Sequence, residues 1–92
     1  MTFRYEWDLK KSIANLTRHG VSFEEAASAY NDPLAITFPD PDHSVGEERL
    51  LTFGLSNTGR LLAIISTERE TALRIVSARK ATRRERGIYE KG

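Results

Sequence analysis

The chain has 92 residues, 39% hydrophobic and 29% charged, with a formal net charge of +1. That size and balance predict one domain over residues 1–92 and argue against disorder throughout. The absence of cysteine excludes disulfides, thiolate metal sites and cysteine nucleophiles; without a membrane-length apolar run or a signal-peptide core, a cytoplasmic protein with no membrane partner is expected.

Phe3, Tyr5 and Trp7 alternate with Arg4 and Glu6, the period of a short half-buried edge strand. Asp8 is a good N-cap. Leu9, Ile13 and Leu16 follow at i, i+4 and i+7 with Gly20 as the stop, so the spacing predicts a helix over about 9–19. Ser22 and Glu25 have the spacing of a capping box, starting a second helix with Phe23, Ala26, Ala27 and Tyr30 on one face. Asn31-Asp32-Pro33 ends that helix, and Leu34 to Phe38 reads as a strand.

A rigid polar loop from Pro39 to Gly46 leads to an alternating strand through Arg49, Leu51, Phe53 and Leu55. After the Ser56-Asn57-Thr58-Gly59 turn, Leu61 to Ile65 is continuously apolar, as a strand buried on both faces should be. Glu68 to Thr71 turns the chain again, and Leu73, Ile75 and Ser77 continue the meander. Thr82 and Glu85 form a second capping-box signature, opening a last helix with arginines in its first turns. The expected class is α+β: a small antiparallel meander packed with two N-terminal helices and a C-terminal helix.

Charge is divided unevenly. Residues 1–48 carry 4 basic and 9 acidic side chains, residues 49–92 carry 10 and 4, giving −5 and +6. Arg74, Arg79, Lys80, Arg83, Arg84 and Arg86 crowd one segment whose only acid is Glu85. Such density points to polyanion contact, with internal charge complementarity as the competing explanation.

Several separated blocks resemble one family, the BrnT ribonuclease toxins of bacterial type II toxin-antitoxin modules. They are F-x-Y-E-W-D with Lys11 and Asn15, Arg18 to Ala26, Asp32-Pro33, Asp42-His43-Ser44 with Glu47-Glu48-Arg49, Gly59-Arg60, and R-I-V-S-A-R-K-A-T with Glu85-Arg86 and Tyr89. The chain departs from the common pattern at Leu9, where Pro is frequent, and at Gly87-Ile88. The resemblance implies a RelE-like fold and an RNA-cleaving toxin that inhibits translation and growth. It also implies neutralisation by a cognate BrnA-like antitoxin that contacts operator DNA, and leaves room for a dimer within the toxin-antitoxin complex.

Metal-independent cleavage by ribose 2′-hydroxyl attack needs a base, a proton donor to the leaving oxygen and cations for the phosphorane charge. Arg79, where a strand passes into a basic helix, is the first candidate for phosphate stabilisation, since a guanidinium grips two phosphoryl oxygens. Arg60 after the turn glycine, and Lys11 one helical turn before Asn15, are candidates to flank it. Glu48 and His43 are candidates for proton transfer. Lys80, Arg74, Arg83, Arg84 and Tyr89 are candidates for RNA contact. For each the competing role is structural: a solvated cation, an ion pair, or core packing for Tyr89. No metal site and no cofactor is expected, and the alternative to an enzyme is a non-catalytic basic nucleic-acid-binding or protein-interaction module.

Overall fold

A computed structural model describes residues 4–40 and 48–92 of the chain. In chain order the elements are β1 (Arg4–Glu6), α1 (Leu9–His19), α2 (Phe23–Ala29), β2 (Ile36–Pro39), β3 (Leu50–Leu55), β4 (Leu61–Glu68), β5 (Ala72–Lys80) and α3 (Arg83–Lys91). The sheet order is β1-β5-β4-β3-β2. The expected meander is present as β2 to β5, each strand antiparallel to the next. The first strand differs from a purely antiparallel sheet: β1 joins parallel to β5, Arg4 opposite Ala72 and Glu6 opposite Arg74. Its crossover is long enough for a parallel neighbour because α1 and α2 and three strands intervene. Among the described residues no helix is long and apolar enough to cross a membrane.

The continuous apolar run becomes β4, the middle strand, buried from Leu61 to Ile64. Leu62 and Ile64 on one face meet Ile75 and Ala78 of β5, and Val21, Phe23, Ala26 and Ala29 close over them. Tyr5 stacks on Tyr30 at 5.3 Å, and Trp7 meets Phe23 edge-on at 6.0 Å, so the aromatic strand serves this core. Gly54, opposite Leu62, permits the close approach of α2: a Cβ there would sit 2.7 Å from the Ala29 carbonyl oxygen.

Helix α1 departs from expectation. Its apolar positions face solvent, Leu9 at 69%, Ile13 at 60% and Leu16 at 52% exposure, while Asn15 is buried. The reason is an open strand edge. β1 pairs only with Ala72 to Arg74, and beyond that the Asn15 side chain takes the place of a neighbouring strand. Asn15 Nδ2 donates to the Ala78 carbonyl at 2.8 Å and the Val21 carbonyl at 2.9 Å, and its Oδ1 accepts from Ala78 N at 3.1 Å. Satisfying that buried peptide outweighs burying the leucines.

Asn15→Ala leaves the Ala78 amide and two carbonyls without these partners, and should destabilise the fold by about 3 kcal/mol. Urea unfolding at neutral pH measures it; an unchanged midpoint would remove Asn15 from this role.

Candidate active site

Strand alternation fixes the site. Ala78 faces the helices α1 and α2, so Arg79 projects from the other face, beside Ala63 and in the same row as Phe53. Helix α3 lies over that face and leaves a groove of about 770 Å³. Its floor is Phe38, Leu51, Phe53 and Ile65; its polar lining includes Asp40, Arg79, Arg84 and Glu85.

Helix α3 is tied at both ends. At its start Glu85 closes the capping box, accepting from Thr82 N at 2.8 Å while Thr82 Oγ1 accepts from Glu85 N at 3.2 Å. The same carboxylate takes Arg79 Nη1 at 2.7 Å and Nη2 at 2.8 Å. The Arg79 hydrogen bonds hold the Glu85 carboxyl below its usual range against the opposing effect of burial, and Glu85 raises Arg79 in turn. At the far end Tyr89 Oη donates to Asp32 Oδ2 at 2.6 Å, and Asp32 also accepts from Leu34 N and Leu55 N. That hydrogen bond pushes the Tyr89 phenol up.

Arg79 has five N–H donors. Glu85 occupies the end-on fork of Nη1 and Nη2, and Nη1 also donates to the Lys80 carbonyl at 3.3 Å. The side-on fork, Nε–H with the second Nη2 hydrogen, has no partner among the described residues. Two parallel donors on the wall of an open groove suit two phosphoryl oxygens.

The expected convergence of Arg60 with Arg79 is not found. Arg60 lies on the helix side of the sheet, where Nε donates to Glu25 Oε2 at 2.9 Å, and Nη2 donates to Glu25 Oε1 and, at 2.9 Å, to the Gly20 carbonyl. Glu25 does not close the capping box expected with Ser22; its carboxylate receives Ser56, Thr58 and Arg60 instead. Arg60 thereby joins the end of α1, the start of α2 and the β3–β4 turn. Lys11 is exposed and lines a separate recess of about 210 Å³ with Arg18 and His19, against Val76 and Ser77 at the β5 edge. Its expected partner Asn15 is committed to Ala78.

Glu48 is exposed just ahead of Arg49, whose carbonyl accepts from Asp40 N at 2.8 Å, so it stands near the Asp40 end of the groove. His43 lies outside the described residues. Arg74 is paired with Glu6 at 3.0 Å. Lys80, Arg83 and Arg84 are exposed; of these Arg84 lines the groove. Sequence reasoning missed Asp40 as a groove residue and Glu85 as the partner of Arg79. The S/T-x-x-E spacing at Thr82 was a signal for Glu85; for Asp40 the chain offered only its place between Pro39 and Pro41. Among the described residues no three His, Asp or Glu side chains gather as a metal site.

Residues 7–85 match the family model described as ribonuclease toxin, BrnT, of type II toxin-antitoxin system. The fold is similar to the crystal structure of the Brucella abortus ribonuclease toxin BrnT, with a TM-score of 0.64 and 27% sequence identity, covering 89% of this chain and 100% of that one. Among curated protein sequences none matches significantly.

The Glu25 carboxyl, its side chain 11% exposed, is lowered from 4.5 to about 2 by its Arg60 hydrogen bond first, with burial opposing and Thr58 and Ser56 assisting. A depressed carboxyl contributes stability that is complete above its unfolded value and lost as pH falls through the folded one. Urea midpoints should therefore drop between about pH 4.5 and 2. Glu25→Gln should be less stable at pH 7 by about 2 kcal/mol and show a flatter acid limb; an identical limb would contradict the assignment.

Proposed function

The chain belongs to the BrnT family of ribonuclease toxins of type II toxin-antitoxin systems, and from that premise we propose that it is an endoribonuclease acting without a divalent metal. Cleaving RNA, it inhibits translation and growth. Its partners are RNA and a cognate BrnA-like antitoxin, through which the complex contacts operator DNA. Arg79 lines the groove with its side-on fork unpaired among the described residues, and that observation carries this.

The ribose 2′-oxygen attacks the adjacent phosphorus while the P–O5′ bond breaks, leaving a 2′,3′-cyclic phosphate and a 5′-hydroxyl. Arg79 holds the phosphoryl oxygens as negative charge builds on them. Its own charge is secured by Glu85, which raises the guanidinium further above neutrality. Glu48 and His43 are assigned to proton transfer, with one taking the 2′-proton and the other giving one to O5′. Asp40 joins them as a groove carboxylate. Arg84 and, around the corner, Lys80 and Arg83 hold the flanking backbone. Lys11 extends the path past the β5 edge, since Ser77 of its recess shares a strand face with Arg79. Arg74 and Tyr89 act through their ion pair and hydrogen bond, shaping the surface and seating α3, and Arg60 serves the fold.

One observation favours the non-catalytic alternative: an arginine already paired with Glu85 is what a purely structural ion pair looks like. Two substitutions separate the cases. Arg79→Ala should lower the rate of single-stranded RNA cleavage in EDTA by about 10²–10³-fold, whereas Glu85→Gln, which leaves the guanidinium in place, should keep cleavage within about tenfold of wild type. Equal losses in both, tracking stability, would reduce Arg79 to a structural residue. Intact RNA with wild-type protein would refute the enzyme. Expression of the chain alone should arrest bacterial growth, and co-expression of the adjacent gene should restore it.

A further inference from the structure

The three apolar residues of α1 form one stripe. At about 100° per residue, Leu9, Ile13 and Leu16 fall within about 60° of arc, and each is more than half exposed. Ser12, Asn15 and His19 take the inward side, so the stripe is left over once the helix has been anchored through its amide. Large apolar side chains at three successive turns of an outward helix face mark an interaction surface.

Its shape and charge select the occupant. An 11-residue helix is about 16 Å long, and an i, i+4, i+7 row is the seam that a second helix packs against. From residue 9 to 19 the helix carries Lys10, Lys11 and Arg18 and no acid. Lys10 adjoins the stripe, about 60° from Ile13. A second copy of this chain would bring the same cations against them; a helix with acidic flanks would be attracted. We propose that the Leu9–Ile13–Leu16 face of α1 docks an acidic amphipathic helix of the cognate antitoxin, on the side of the sheet away from the Arg79 groove. This rests on the toxin-antitoxin assignment and adds the surface: the antitoxin is anchored outside the Arg79 groove, where the scissile phosphate is held.

The test titrates full-length toxin with the purified product of the adjacent reading frame. Leu9→Ser/Ile13→Ser/Leu16→Ser should raise Kd by about 100-fold or more, while RNA cleavage stays within about twofold of wild type because no groove residue is changed. Lys10→Glu, a surface change that cannot unfold the core, should raise Kd about tenfold at low salt, with the difference shrinking as salt is added. It decides the matter if the triple variant fails to fold. Unchanged affinity in both variants overturns the α1 surface while leaving the toxin-antitoxin pairing intact. No binding by wild type overturns the pairing itself. Sedimentation of wild type, but not the triple variant, with phosphatidylglycerol vesicles, or as a dimer alone, combined with unchanged antitoxin affinity, would assign the stripe to a membrane or to self-association and overturn the proposal.

Discussion

The Glu85 carboxylate is the contact on which the groove depends. It satisfies the Thr82 amide at the start of α3 and both terminal nitrogens of Arg79 on β5, so one side chain begins the helix and fixes its position over the sheet. Arginines in a first helical turn oppose the macrodipole, and a carboxylate at the third position offsets them. With Tyr89 held by Asp32 at the other end, α3 spans the far face as a bar tied at two points, and the space beneath it is the groove. Gly87, inside the helix, costs about 1 kcal/mol in propensity; the two ties make that tolerable.

All three helices are seated by polar anchors as much as by apolar burial. Asn15 joins α1 to the open edge of β5, Glu25 joins α2 to Arg60 and the β3–β4 turn, and Glu85 joins α3 to Arg79. The buried peptide at Ala78 cannot be left unsatisfied, whereas exposed leucines cost only what their hydration costs. Orientation of α1 is settled by the larger of these effects. Its apolar face is thereby released for other contacts.

Much of this fold was legible from period alone. The alternation of β3, the doubly buried run of β4 and the Thr82-Glu85 cap lie where the spacing puts them, because each reports a local rule. The alternation of β5 is broken by an irregularity opposite Ile65 and Ser66, so Ala78 rather than Ser77 joins Ile75 in the core. The outward turn of α1 was not legible: amphipathic spacing states which residues share a face, but not which face is inward. Asn15 reverses the inference through bonds to Ala78, 63 residues away in sequence. The same limit separates Arg60 from Arg79. One arginine lies near the end of β5 and the other just ahead of β4, but strand alternation sends Arg79 to the far face, and Arg60 finds Glu25 on the near one. A carboxylate partner 35 residues distant is invisible to spacing.

The split between an acidic first half and a basic second half is resolved in part within the fold. Glu6 meets Arg74 and Glu25 meets Arg60, each an acid of the first half bound to a cation of the second. Internal complementarity therefore accounts for those arginines. It does not account for Lys80, Arg83, Arg84 and Arg86, which enter no ion pair among the described residues and stand together where β5 passes into α3. Their mutual repulsion finds no ion-pair relief among the described residues, and an external anion would relieve it. That corner adjoins the Arg79 groove, so the cationic field and the unpaired side-on fork of Arg79 stand at the same place.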